Sequence, residues 1–296
     1  MKPRTPYTVF TAIFAALCCL FASCSSVPKK PVEIFTERIM AANQLDLANN
    51  TANQGRFADA LLIINDSKRR AISVDDPSLI IKTAIYRGNI LFSLGRSEEA
   101  FADWEAAQAE ADRSGLKDLW ALAGIYAARG NLLQLINSGS KNSIPEIRDQ
   151  VSVLIALIKS DNIAQAMGYL VQGMCEKEMQ RYADAEKSVR HAIDIHEKNR
   201  YLEEAAYDWY FLASIFSVSQ RYDDALSALG NSISFDRRAE NGFGLASSWQ
   251  AMGEVYLKNN RREDSAASFN RASEIFLSIG LDDLAAVCSD KAAAAR

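Results

Sequence analysis

The side chains that could carry out chemistry are few and isolated. The only two histidines, His191 and His196, lie five positions apart in a segment with helical periodicity. A five-residue step turns two side chains about 140° apart around a helix, whereas a zinc-binding pair on a helix needs a four-residue step. The spacing therefore predicts two surface histidines and no metal site.

Other catalytic patterns lack their structural context. Residues 242–247 (GFGLAS) have the spacing that begins a dinucleotide-binding fingerprint, but they lie between two predicted helices with no preceding strand. Ser138 and Lys141 have Ser-x-x-Lys spacing within a predicted loop, without the partner motifs of such enzymes. Pairs of adjacent aspartates fall at turns or helix starts, where carboxylates cap backbone amides. We therefore expect no enzymatic activity and no cofactor.

Composition narrows the fold class. The 296 residues include 33 Lys and Arg, 37 Asp and Glu, 14 Gly and 6 Pro. So few turn-forming residues disfavour both an all-β fold and a disordered chain. The slightly acidic balance disfavours a nucleic-acid-binding surface. These features predict an all-α protein that does not bind nucleic acid.

The N-terminus has the pattern of an export signal. Lys2 and Arg4 precede an uncharged run over 7–21, and small residues lead to Cys24. The order LFASC at 20–24 resembles the lipobox of bacterial lipoproteins. This resemblance implies that residues 1–23 are a signal peptide and that the Cys24 thiol is lipidated. An ordinary secretory signal and an uncleaved anchor remain as alternatives, because about 18 apolar residues approach a bilayer span.

The resemblance also implies a location. Residues 24–31 form a short polar tether, and loss of residues 1–23 removes two cations, which takes the net charge from −4 to −6. Ser25 is not the Asp that retains enterobacterial lipoproteins at the inner membrane, so a periplasm-facing anchor in the outer membrane is favoured over the inner membrane. Apart from Cys24, only Cys175 and Cys288 remain, which excludes a disulfide framework and predicts two buried thiols.

Residues 32–296 repeat with a period of about 40. The segment 209–216 aligns with 249–256 and with 169–175 when the sequence is shifted by 40 positions, and such a fixed period is typical of a solenoid. The pattern predicts six helical hairpins, near 39–77, 81–112, 117–160, 166–200, 206–240 and 246–280, and a capping helix at 281–295. A small residue recurs in each unit, at positions 48, 88, 123, 173, 213 and 253.

The repeat resembles the tetratricopeptide repeat (TPR), in a longer variant found in polarity adaptors and some large bacterial regulators. The signature places of one unit hold Trp209, Leu212, Ala213, Phe216, Tyr222, Ala225 and Leu229. The resemblance implies an all-α superhelix in which the first helix of each hairpin lines a concave groove.

Residues at the groove positions of that family are the candidate partner-binding residues. They are Asn49, Asn89, Phe92, Trp120, Met167, Leu170, Met174, Tyr207 and Tyr210. The favoured function is a membrane-anchored scaffold that binds an unidentified protein or peptide segment within a cell-envelope assembly or transport complex. The alternative is a transport component that holds a small apolar molecule in an aromatic and Met-lined pocket; an open groove favours the first and a closed pocket the second.

Overall fold

The computed structural model describes residues 35–296; the predicted signal peptide, Cys24 and the tether lie outside these residues. Thirteen α-helices and no strand occur in the described part, which confirms the predicted all-α class. The first helices of six hairpins are α1 (Thr36–Asn53), α3 (Pro77–Ser93), α5 (Lys117–Ser138), α7 (Asn162–Glu178), α9 (Leu202–Val218) and α11 (Gly242–Lys258). Their second helices are α2 (Phe57–Ser73), α4 (Ser97–Arg113), α6 (Ile144–Leu157), α8 (Tyr182–Asn199), α10 (Tyr222–Ala239) and α12 (Arg262–Ser278), and α13 (Asp282–Ala295) follows.

Small residues set the distance between the two helices of a hairpin. A Cβ atom added to Gly88 would lie 2.4 Å from Nε1 of Trp104, and one added to Gly253 would lie 2.8 Å from the Phe269 ring. Trp104 also donates a hydrogen bond from Nε1 to the carbonyl of Ile85, at 3.1 Å. The large side chain of the second helix therefore fills the space that the glycine leaves open.

The hairpins stack so that the first helices form an inner layer. Each second helix packs between its own first helix and the first helix of the next hairpin. The first helices of hairpins 1 and 2, 2 and 3, 3 and 4, and 5 and 6 also pack on each other. The first helices thus line the concave side, and the second helices form the outer layer.

Hairpin 3 departs from the predicted spacing. Ala128 lies eleven residues after the start of α5, the same offset that Gly88 and Gly173 have from the starts of α3 and α7. The prediction of Ala123 as the equivalent residue was therefore wrong. This stretch is rich in small residues, so residue type alone could not fix the position. The surplus residues lengthen α5 and form the loop that follows it.

A carboxylate holds the irregular connection between α6 and α7. Asp118 accepts backbone N–H hydrogen bonds from Lys159, Ser160 and Asp161, at 3.0, 2.9 and 3.1 Å. Burial raises the pKa of Asp118, but these hydrogen bonds outweigh it and leave the pKa below its usual range. The loop before α7 is thereby fixed to the start of α5.

Hairpin 1 also contacts hairpins 5 and 6. The Asn53 side chain donates a hydrogen bond to the Glu203 carboxylate at the start of α9. A Cβ atom on Gly55 would lie 3.1 Å from the Phe243 ring and 3.4 Å from Leu281. Since these residues are about 150 or more positions apart in sequence, the superhelix has turned far enough for its first and later hairpins to meet.

Two glycines provide a matched test of this contact. Gly55 and Gly95 occupy the same turn in hairpins 1 and 2, with φ of +77° and +76°. A Cβ atom on Gly95 would meet no atom within 4 Å. Gly95→Ala should lower the free energy of unfolding by about 1 kcal/mol because of its positive φ. Gly55→Ala should cost about 1–2 kcal/mol more, because the new methyl group also crowds Phe243. Equal losses in urea unfolding would contradict the contact.

Candidate partner-binding surface

The clearest exposed aromatic surface on the inner layer is a tyrosine pair on α9. The rings of Tyr207 and Tyr210 stack with centroids 6.3 Å apart and planes 25° apart. Tyr207 is 41% exposed, whereas Tyr210 is half-buried. Burial raises the pKa of Tyr210, with smaller contributions from Tyr207 and from Glu254 on α11. Both candidates therefore lie together where hairpins 5 and 6 meet.

Asparagines lie at the predicted places in hairpins 1 and 2. Asn49 and Asn89 are both half-buried. The amide oxygen Oδ1 of Asn89 is buried and has no hydrogen-bond partner among residues 35–296. An unpaired buried acceptor is costly unless a ligand or water supplies a donor. The side chain of Asn89 thus keeps one unused hydrogen-bond acceptor.

Two candidates are not part of any accessible surface. Leu170 and Met174 are 1% and 5% exposed and belong to the main hydrophobic core. Both side chains pack among the core residues between helices. Neither residue is therefore available to a partner on the concave surface.

The other three candidates are half-buried and pack against the core. The Phe92 ring lies 5.8 Å from Trp104 and 6.3 Å from Phe101, so it completes an aromatic cluster inside hairpin 2. Trp120 was assigned by counting from Ala123, which is not the equivalent small residue of hairpin 3. When the count starts from Ala128, the groove position that follows it holds Arg129. Met167 packs beside the core without a polar contact that would mark a binding role.

Two lysines also lie on the inner layer. Lys177 on α7 lies over the Phe211 ring of α9, 5.1 Å from its centroid. Lys258 on α11 donates a hydrogen bond to Oγ of Ser217 on α9, at 3.1 Å. Burial lowers the pKa of Lys177. The groove positions of the repeat family already include Lys258, and the structure adds Lys177.

One histidine prediction was wrong. His191 is exposed, but His196 is 1% exposed, and its Nδ1 lies 2.7 Å from Oδ2 of Asp208, which is fully buried. Burial raises the pKa of Asp208 to about 6, although the hydrogen bond with His196 lowers it. The repeat could have predicted the burial of His196, because a shift of 80 positions aligns it with Phe276, a core residue. The pair links α8 to α9 and is too deeply buried for a substrate to reach.

Other predicted features agree with the structure or lie outside it. Cys175 and Cys288 are free and buried, as predicted. Among residues 35–296, no helix is long and apolar enough to cross a membrane. In the same residues, no group of three potential ligands is placed to hold a metal ion. Cys24 cannot be placed because it lies outside the described residues.

Comparison with solved structures defines the class of fold. No protein-family model matches the chain, and no curated protein sequence matches it. A Rap protein complexed with competence and sporulation factor aligns with a TM-score of 0.58 and 14% identity, over 87% of this chain and 77% of that one. The apo form of RapI gives a TM-score of 0.54 and 12% identity, over 86% and 71%.

The APC/C hetero-tetramer Cut9–Hcn1 also aligns, with a TM-score of 0.56 and 16% identity over 85% of this chain and 42% of that one. Identities this low establish the fold alone. The described part of the chain is therefore a TPR-like superhelix of six hairpins and a final helix, as the repeat predicted.

A buried carboxyl between hairpins 5 and 6 makes stability depend on pH. Asp236 is 2% exposed, and burial raises its pKa to about 7, against a hydrogen bond from Nδ2 of Asn241 at 2.8 Å. The folded protein thus holds a proton that the unfolded chain releases near pH 4. Stability from this group is present at low pH and is lost as pH rises towards 7.

Asp236→Asn should remove the decrease in stability that the wild type shows as the pH rises. At pH 8 the variant should unfold with a free energy about 2 kcal/mol above that of the wild type, and at pH 4 the two should be equal. Urea unfolding at both pH values measures the difference. Asp223→Asn, which changes an exposed aspartate in the first turn of the same helix, is the control. A pH-independent effect of Asp236→Asn would contradict the assignment.

Proposed function

We propose that this chain is a lipid-anchored scaffold that binds a protein or peptide segment on its concave face. The observation that carries the proposal is the stacked pair Tyr207 and Tyr210 on the inner layer. Tyrosines are common at protein interfaces because a rigid, amphipathic ring gives much contact area for little lost conformational entropy. A large aromatic side chain that is 41% exposed on a concave solenoid surface is suited to such a contact.

An analogy supports the same class of partner. One similar structure is of a Rap protein complexed with competence and sporulation factor. Because the shared feature is the fold, this supports a binding role without identifying the partner. The concave face also has side chains for backbone recognition, since Asn89 offers an unpaired amide oxygen.

The anchoring part of the proposal rests on the sequence. The order LFASC at 20–24 supports lipidation at Cys24, and residues 24–31 would hold the repeats away from the bilayer. A scaffold anchored in this way would act in a periplasm-facing assembly or transport complex, at the outer membrane if the host sorts lipoproteins by the residue after the cysteine. No catalytic step is proposed for it.

Replacement of the lipidated residue tests the anchor. Cys24→Ser should move the protein from the membrane fraction to the soluble fraction, because a lipid chain can no longer be attached. Cys175→Ser is the matched control, since this buried thiol should have no part in anchoring. Immunoblots of fractionated cells measure the distribution, and a Cys24→Ser protein that stays membrane-bound would show that another element anchors it.

Photo-crosslinking in cells tests the concave face. A photoreactive amino acid at Tyr207 should form adducts with a discrete partner, whereas the same group at Leu62, on the outer layer and 72% exposed, should not. In the full chain, Tyr207→Ala with Tyr210→Ala should reduce adducts formed from a probe at Asn49 by about tenfold, with helicity by circular dichroism retained. Leu62→Ala with Leu277→Ala provides the control. Adducts from Leu62 alone would place the interface on the convex side.

A further inference from the structure

One short turn joins the first hairpin to the later ones. It covers residues 53–56, at the end of α1 and before α2, and we name it the closing turn. The Asn53 side chain donates a hydrogen bond to the Glu203 carboxylate at the start of α9. Gly55 lies against the Phe243 ring at the start of α11. The end of one first helix therefore meets the beginnings of two others.

This meeting encloses the concave side. The first helices of a solenoid run in the same direction, so their ends lie along one edge of the stack and their beginnings along the other. Because the superhelix has turned far enough for the two edges to touch, the inner space is bordered by a contact between hairpin 1 and hairpins 5 and 6. We name this contact between the closing turn and the starts of α9 and α11 the seam. A segment that reaches the concave face from the side must pass through it.

Little packing holds the seam together. Extensive packing between helices joins hairpin 1 to hairpin 2, whereas the contacts across the seam come from the closing turn. Glu203 is half-buried there, and burial raises its pKa, although the hydrogen bond from Asn53 lowers it. In the described part of the chain, no Lys or Arg side chain pairs with this carboxylate. Since burial of an unpaired carboxylate costs free energy, the seam opens more readily than the junctions between neighbouring hairpins.

The surface that receives the closing turn is held in place by other contacts. The Phe243 ring packs edge-on against Phe276 on α12, with centroids 5.9 Å apart. Both rings belong to a hydrophobic cluster that also contains Leu281, the other residue that a Cβ atom on Gly55 would approach. None of these contacts involves hairpin 1. The receiving surface therefore persists when the seam is open, and the closing turn can return to it.

The seam, and not the geometry of the turn, excludes a side chain at position 55. The same turn position in hairpins 4, 5 and 6 holds Gln180, Gln220 and Asn260, with φ of 60°, 62° and 58°. A long polar side chain is therefore compatible with this turn. At Gly55, in contrast, even a Cβ atom would lie 3.1 Å from the Phe243 ring. A glutamine at this position would keep the turn and separate the two sides of the seam.

We propose that the closing turn is a gate, which keeps the concave face closed along the seam in the unbound protein and admits the bound polypeptide segment when it separates from α9 and α11. The inference rests on the proposed function, because it concerns access to the same face. Opening breaks one hydrogen bond and one ring contact, while each hairpin keeps its own packing. The closed state lowers the apparent affinity in proportion to the fraction of molecules that are open. The gate therefore regulates binding without contacting the bound segment.

A covalent link across the seam tests whether the gate must open. Asn53→Cys with Glu203→Cys replaces two side chains that touch, so a short, cleavable bis-maleimide should join them within one chain. Ser93→Cys with Glu203→Cys is the control and should not be joined, because Ser93 is the exposed equivalent of Asn53 in hairpin 2. With a photoreactive amino acid at Tyr207, the linked protein in cells should form at least about tenfold fewer adducts than after cleavage of the link. Equal adduct yields, or equal linking of both cysteine pairs, would overturn the inference.

Access of a bulky reagent tests the gate without a partner. In the full chain carrying Tyr207→Cys, a maleimide attached to a long polyethylene glycol chain should react about tenfold faster when Gly55→Gln opens the seam. Gly95→Gln is the matched control, because a Cβ atom on Gly95 would meet no atom within 4 Å. The small reagent N-ethylmaleimide should react equally fast with all three proteins, and circular dichroism should show the same helicity. Equal rates for the bulky reagent in the two glutamine variants would contradict the gate.

The two proposals fail in different ways. If no protein, linked or unlinked, forms adducts from Tyr207, the proposed function is wrong, and the labelling rates still decide the gate. If adducts form equally with the link intact and with the link cleaved, the concave face binds its partner and the gate is wrong.

Discussion

The close approach of two helices at one small residue is the contact on which the rest of the structure depends. Gly88, Gly173 and Gly253 leave room for Trp104, Val189 and Phe269 respectively, and a Cβ atom at any of these glycines would lie under 3.0 Å from its neighbour. This contact fixes how each first helix crosses its second helix. Because nearly every hairpin repeats the same crossing, each presents a similar face to the next, and the stack curves around its first helices.

Polar links at the hairpin junctions then determine how the units are joined. Asp103 accepts hydrogen bonds from Lys68 and Arg87 between hairpins 1 and 2. His196 and Asp208 join hairpins 4 and 5. Ser232 and Ser248 join hairpins 5 and 6, with their Oγ atoms 2.9 Å apart.

Apolar surfaces tolerate sliding along a helix, whereas a buried hydrogen bond is satisfied only at one position. The junctions therefore combine apolar packing with a directional contact. This combination fixes the position of each hairpin on the next.

Several charged residues of the first helices lie at the helix end that suits their sign. Carboxylates such as Asp161, Glu203 and Glu204 lie at the N-terminal ends, whereas Lys177 and Lys258 lie near the C-terminal ends. This distribution suits the helix dipoles. Tyrosines between the two ends supply the apolar contact area.

The sequence by itself determined the local unit. The 40-residue period, with small residues opposite large ones, was enough to predict helical hairpins, an all-α superhelix and the inner-layer position of Tyr207 and Tyr210. It also predicted that Cys175 and Cys288 would be buried. These features depend on contacts within a hairpin or with its neighbour, which a repeat pattern records directly.

Only the tertiary structure decided which of these residues are accessible and which distant ones meet. It placed Leu170 and Met174 in the core, buried His196 against Asp208, and identified Ala128 instead of Ala123 as the equivalent small residue. The meeting of Asn53 with Glu203 depends on the small rotation between hairpins, summed over four junctions. No single residue specifies that sum, so the contact of the first hairpin with the later ones is decided by the superhelix as a whole.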